Sequence, residues 1–151
     1  MASTPTLRAH IGWRLLALSY DFWPVAALWM LTSAAFNVAY SLAGHARREY
    51  VAPFTWLGTL LWITCWLIAG IYAVVSWQRG GQTIGMRPWR LRLVGLHAPP
   101  DRRALAIRYL VGTVSLLLGG LGFWWAWIDR DRLTWHDRAS GTRMERIAKR
   151  G

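Results

Sequence analysis

The sequence predicts an all-α polytopic membrane protein, with two transmembrane helices and a third apolar segment that either spans or re-enters. Two observations predict it. Phe22 to Gly44 and Tyr50 to Gln78 contain no Asp, Glu, Lys or Arg, and Tyr109 to Ile128 is a third such run. A helix needs about 20 apolar residues to cross a bilayer core, so the first two runs exceed the requirement and the third just meets it. The second observation is composition. Of the 151 residues, 54% are hydrophobic and 12 are Trp, which leaves too little polar surface for a soluble domain of this size.

The elements follow in order. A polar lead over residues 1–11 precedes a membrane domain over 12–145, and residues 146–151 form a basic end. Residues 1–13 lack the apolar core of a cleavable signal peptide, so the first apolar run is expected to act as an uncleaved anchor. The first helix is expected over 12–44. Pro24 has no N–H to donate to the Tyr20 carbonyl, and a kink or restart is expected there. The polar loop His45–Glu49 is short enough to make an antiparallel hairpin with the second helix, expected over 50–78. Pro53 suits that helix's first turn. Trp56 and Trp77 lie near its ends, where indoles meet lipid headgroups. Cys65, the only cysteine, reads as a small buried or lipid-facing residue, which excludes an intrachain disulfide and a cysteine-based metal site.

Residues 79–108 form a basic connector holding seven arginines. Within it Trp89 to Val94 alternates polar and apolar residues, a period that suits a short strand or an extended surface segment. Pro99-Pro100-Asp101 breaks the chain and starts a helix, with Asp101 in or near its first turn. Arg102 to Leu110 is amphipathic. The apolar segment 109–128 passes through Gly119–Gly122 into Phe123-Trp-Trp-Ala-Trp127, an expected interfacial belt with a lipid or partner contact as the sharper alternative. A basic tail covers 129–145.

Topology presents a conflict. Short loops rich in Arg and Lys stay on the cytoplasmic side. With three full spans, the two sides of the membrane carry nine basic residues each, and no orientation follows. If the third run turns back at Gly119–Gly122, the connector and tail share one side, and the count becomes sixteen against two.

The net charge is +11. The arginines sit just outside the apolar runs, as expected of anchoring to anionic lipid headgroups. No nucleic-acid-binding motif accompanies them, so nucleic acid is not an expected partner.

Four pieces stand in sequence: Arg14-x6-Asp21, Gly81-Gln-Thr-Ile-Gly85, Asp129, and His136-Asp-Arg-Ala-Ser-Gly-Thr142. This ordered set resembles the RDD family of small bacterial membrane proteins, over about residues 10–145. The resemblance places the family's arginine at Arg14 and its two aspartates at Asp21 and Asp137. It also implies the bacterial cytoplasmic membrane and, as proposed for some members, cation/proton antiport. Two positions depart from the family pattern. Met86 stands where a lysine is usual, with Arg87 next to it, and Arg90 stands where a glycine is common.

On one helix Arg14 and Asp21 share a face about 10.5 Å apart along the axis, too far for a salt bridge. Each needs another partner. Asp137 is the first candidate for Arg14, held bidentately, and Arg102, Arg103 or Arg108 are candidates for Asp21. Asp21 also suits an N-cap if Pro24 restarts the helix. Gly81–Gly85, with Gln82 and Thr83, lacks the spacing of a phosphate loop and reads as a tight turn whose side chains bond exposed backbone. His136 has no ligand-spaced partner, so no metal or other cofactor is expected, and no catalytic motif is present. The expected function is an accessory membrane subunit that docks a protein partner or anionic lipid through a basic cytoplasmic face of Arg87, Arg90, Arg92, Arg102, Arg103 and Arg108. The alternative is a small antiporter acting as a homo-oligomer, with Asp21 titrating.

Overall fold

A computed structural model describes residues 10–44 and 50–147. Most of the polar lead (1–9), the loop 45–49 and the end 148–151 lie outside the described residues. Helix α1 runs from Ile11 to Leu42 without a break. Pro24 lies inside it, so the helix does not restart there and Asp21 is not an N-cap. Proline removes one backbone bond, and in an apolar run every other N–H still has its best partner within the helix. Helix α2 covers Trp56–Gly80. Pro53 falls in the turn before it rather than in its first turn. Thr55 begins the helix instead: its Oγ1 accepts from the Gly58 N–H at 3.0 Å and its carbonyl from Thr59 at 2.8 Å. Gly58 lies so close to the preceding turn that a Cβ there would meet the Ala52 carbonyl oxygen at 2.3 Å. Both helices are long and apolar enough to cross a membrane.

The chain divides into two units. The first, Phe22–Tyr72, contains most of α1 and the first two thirds of α2. Its apolar side chains face outward; Trp23, Met30, Leu31 and Trp62 are each at least 67% exposed, as helices in contact with lipid require. The Trp29 indole donates to the Cys65 carbonyl at 2.7 Å, and the Val51 N–H donates to Asn37 Oδ1 at 3.1 Å. Cys65 is buried.

The second unit comprises the remaining described residues, including both helix ends at Ile11–Asp21 and Ala73–Gly80. Strand β1, Leu91–Gly95, pairs antiparallel with β2, Thr142–Arg146, in a register running from Leu91 opposite Arg146 to Gly95 opposite Thr142. Leu91 and Leu93 are buried, whereas Arg92 between them is exposed, the alternation of a strand with one covered face. With Ala17, Met86 and Leu105 they form the core of this unit. Helix α3, Arg102–Leu117, is capped by Asp101, whose carboxylate accepts from the Ala104 N–H at 2.7 Å. Helix α4, Leu121–Trp124, continues into a 3-10 turn at Trp125–Trp127, and this pair lies at 106° to α3. Helix α5, Trp135–Ser140, leads into β2. Trp77 packs at the edge of the core rather than facing headgroups, because its ring lies 5.6 Å from the buried Arg108 guanidinium.

The protein is thus predominantly helical, with one small sheet. That sheet bears on the charge conflict. β1 belongs to the connector and β2 to the tail, and a straight crossing by the third apolar run would separate them by about 30 Å of hydrocarbon. Their ladder holds them side by side, with the bent pair of α3 and α4 between them in sequence. In a Cys65→Ser background, the double variant Arg92→Cys/Glu145→Cys places thiols on directly opposed residues. It is expected to form an intrachain disulfide under mild oxidation, visible as a shift in non-reducing gel mobility. Arg92→Cys combined with Arg143→Cys, out of register, is expected to cross-link less readily.

Candidate functional site: a carboxylate shared by two arginines

Asp137 is the third residue of α5 and is completely buried. Thr134 precedes the helix. Its Oγ1 accepts from the Asp137 N–H at 3.3 Å, while the Thr134 N–H donates to Asp137 Oδ2 at 3.1 Å. This reciprocal pair is a capping box, and it fixes the carboxylate before any distant residue arrives. Two arginines then share it. Arg14 Nη1 lies 2.6 Å from Oδ2, and Arg108 Nη1 lies 2.6 Å from Oδ1. The Arg14 nitrogen also donates to Thr134 Oγ1 at 3.3 Å, and the Arg108 nitrogen to Thr142 Oγ1 at 2.8 Å. Both guanidiniums are at most 3% exposed.

The expected Arg14–Asp137 contact is therefore present, but not as a bidentate fork. The carboxylate already serves a second guanidinium and a backbone N–H, so each arginine takes one oxygen through one nitrogen. Arg108 does not belong to the exposed basic face and does not serve Asp21. It projects from α3 into this cluster, 29 residues in sequence from Asp137. Burial alone would raise the Asp137 carboxyl, but the guanidiniums of Arg108 and then Arg14 hold it well below the usual carboxylate range. His136 is buried with its ring 4.8 Å from Phe123, and its Nδ1 has no hydrogen-bond partner among the described residues. Burial, reinforced by the Arg108 charge, pushes its imidazole down to about 3, so it is neutral at physiological pH.

Asp21 has a separate place, two helical turns along α1 from Arg14. In place of the expected Arg102, Arg103 or Arg108, its carboxylate accepts from the Thr83 hydroxyl and, at 2.9 Å, from the Gly85 N–H. The loop can reach it because position 85 is glycine. A Cβ there would stand 2.3 Å from the Ala17 carbonyl oxygen and 2.6 Å from the Asp21 nitrogen. Thr83 thus bonds a carboxylate rather than backbone. Gln82 does bond backbone, donating to the Leu91 carbonyl at 2.6 Å, and the Gly81 carbonyl accepts from Leu93 at 2.7 Å. Gly81 has φ of 68°, a turn out of α2 that glycine adopts without steric cost.

Asp129 lies outside the Asp137 cluster. It accepts from Arg138 at 2.6 Å and from the Leu133 N–H at 3.0 Å, ordering the loop before α5. Burial opposes its ionisation, but the Leu133 and Arg138 hydrogen bonds outweigh that and lower its pKa. Arg87, Arg90, Arg92, Arg102 and Arg103 are exposed. Thr134 was not a sequence candidate, although the Thr134-x-x-Asp137 spacing was an available signal for it. Thr142 ends the tail motif, but nothing local marks it as a partner of Arg108.

A family model described as the RDD family matches residues 8–141. The chain belongs to the RDD family. No curated protein and no solved structure matches it. Against the RDD pattern, the geometry explains the first departure and shows why glycine suits the second position. Met86, in the usual lysine position, is 1% exposed and part of the core, while Arg87 faces out and does not take over that inner place. Arg90, where glycine is common, has φ of 55°, a left-handed conformation that favours glycine.

The shared carboxylate makes the consequences of substitution unequal. Arg14→Gln leaves a one-to-one Arg108–Asp137 pair, whereas Asp137→Asn leaves two buried guanidiniums with no counter-charge. Asp137→Asn is expected to cost about 3–5 kcal/mol and Arg14→Gln distinctly less. The double variant is expected to fall short of the sum by at least about 1 kcal/mol, measured by thermal unfolding in detergent. The His136 shift also has a sign. The unfolded chain binds a proton below about pH 6.5 that the folded chain refuses until about 3, so stability falls as pH drops through this window, by up to about 1.4 kcal/mol per unit. His136→Phe is expected to flatten that slope between pH 6.5 and 4.5.

Proposed function

We propose that this RDD-family chain is a non-catalytic accessory subunit of the bacterial cytoplasmic membrane, docking an acidic partner, either a protein or an anionic lipid, through its basic face. One observation carries the reading: the division of the charges. Among the described residues the acids are engaged within the chain. Asp137 holds Arg14 and Arg108, Asp129 and Asp131 hold Arg138, Glu145 pairs with Arg143, Asp101 caps α3, and Asp21 binds the connector loop. Arg87, Arg90, Arg92, Arg102 and Arg103 are exposed, and none is in an ion pair among the described residues. Unneutralised exposed arginines in a chain with membrane-spanning helices suit anionic headgroups or acidic protein segments. With connector and tail together, the sixteen-to-two distribution of basic residues favours the cytoplasmic side for that face.

The test compares the wild-type protein with a variant carrying Gln at all five positions. Lipid retained through purification in mild detergent is measured, together with proteins cross-linked in intact membranes. Each arginine near an anionic surface contributes about 1 kcal/mol, so the fivefold variant is expected to lose its enrichment in anionic lipid, its cross-linked partner, or both. Unchanged enrichment and unchanged cross-links would remove the docking reading. Cation-dependent proton flux in proteoliposomes, abolished by Asp21→Asn, would replace it with antiport.

A further inference from the structure

The apolar segment between the two strands has no protein cover on much of its surface. Leu117, Leu118, Leu121 and Ile128 are 80%, 50%, 54% and 79% exposed, and Trp124, Trp125 and Trp127 are 43%, 43% and 59% exposed. Such a contiguous apolar surface does not face water in a stable protein. We infer that α3, α4 and the following 3-10 turn form a re-entrant wedge, which inserts its apolar bend into the lipid of the near leaflet and returns to the face it left. This inference stands apart from the docking reading, since it concerns acyl chains rather than the arginine face.

Both arms are tied to the same place. The entering arm is held where Arg108 meets Asp137 at 2.6 Å. The returning arm is held one residue away, where the Phe123 ring meets His136 at 4.8 Å. From Arg108 to Leu118, ten residues of helix rise about 15 Å, against a hydrocarbon core about 30 Å thick. The arm is therefore too short to cross, and it reaches the bilayer midplane at most.

The bend is also built for a dry environment. Gly119 and Gly120 have φ of 68° and 81° and turn the chain sharply. The N–H groups of Leu118, Gly119 and Gly120 are satisfied by the carbonyls of Val114, Leu116 and Ser115 at 3.0, 3.0 and 2.8 Å, and those of Phe123 and Trp124 by Gly120 at 2.8 and 3.2 Å. Hydrocarbon tolerates a turn only when its backbone is satisfied internally. Gly122 lets the arms close, since a Cβ there would stand 2.4 Å from Ser115 Oγ.

The occupant is lipid rather than protein on two grounds. The same chain carries two membrane-spanning helices, so its apolar surfaces already have a lipid environment. The residues also change with position as a leaflet demands: leucines at the bend and tryptophans on the way out, where indoles favour the interface. Exposed charges stand only at the two ends, Arg102 and Arg103 in the first turn of α3 and Arg132 after the 3-10 turn, while Arg108 is buried on Asp137.

The experiment uses the full-length protein in sealed vesicles of both orientations, in a Cys65→Ser background. Single cysteines replace Arg92 in β1, Glu145 in β2, and Leu117 or Leu118 at the bend; the two bend variants guard against a local failure to fold. A membrane-impermeant maleimide is expected to label Arg92→Cys and Glu145→Cys from one side only, and the same side. Labelling of the bend variants is expected to be lost from both sides. A nitroxide at the bend is expected to be relaxed by oxygen but not by a water-soluble nickel chelate, at a depth within the near leaflet. Labelling of the strands from opposite sides, or of the bend from the far side, would overturn the wedge. So would a nitroxide open to the nickel chelate, which means water, or shielded from both relaxants, which means a protein cover.

Discussion

One buried carboxylate organises the unit that holds the sheet, α3 and α5. Asp137 receives Arg14 from the start of α1 and Arg108 from α3, and its own backbone belongs to α5. Thr142, bonded to Arg108, begins the β2 strand. Three regions far apart in sequence, the start of α1, α3 and the α5–β2 tail, therefore meet in one cluster. Each buried charge carries a desolvation cost of several kcal/mol, and only complementary partners offset it. The energy gained over a wholly apolar core is modest, but the arrangement is highly specific: a misregistered tail strands two guanidiniums without a counter-charge.

A second anchor works beside the first. Asp21 lies on the same face of α1, two turns further on, and binds the loop that leaves α2. One face of one helix thus places both basic segments, Arg14 holding the tail and Asp21 holding the connector. Between these anchors the core of Ala17, Met86, Leu91, Leu93 and Leu105 closes, and the antiparallel ladder of β1 and β2 follows. The surplus arginines are left exposed outside this core. A specified interior and an uncompensated exterior are two consequences of the same charge allocation.

Arg14 illustrates how far a local reading reaches. A charge at the lip of an apolar run needs a partner, and helix geometry ruled out Asp21, which left the tail aspartates; the RDD resemblance pointed to Asp137 among them. Arg108 illustrates where such reading stops. It lies in a run of basic residues with Arg102 and Arg103, and nothing in its neighbourhood separates it from them. Only the turn of α3 points Arg108 inward, while Arg102 and Arg103 stay exposed at the first turn. Asp21 failed for a related reason. The N-cap reading depended on Pro24 breaking the helix, but α1 continues because a membrane helix retains all its remaining backbone bonds.

By itself the sequence determined the existence and order of the two spans, the alternation around Arg92, a helix start near Asp101 and the family resemblance, because these depend on local composition and spacing. Membership rests on an ordered set of short motifs, each weak alone. The tertiary structure decided which arginine is buried, what Asp21 binds, and that the strands on either side of the third apolar run pair with each other. The physical reason is common to all three. Each depends on contacts between residues tens to more than a hundred positions apart, such as Arg14 with Asp137, at a separation of 123. Local periodicity carries no information about which distant group will neutralise a charge or complete a strand.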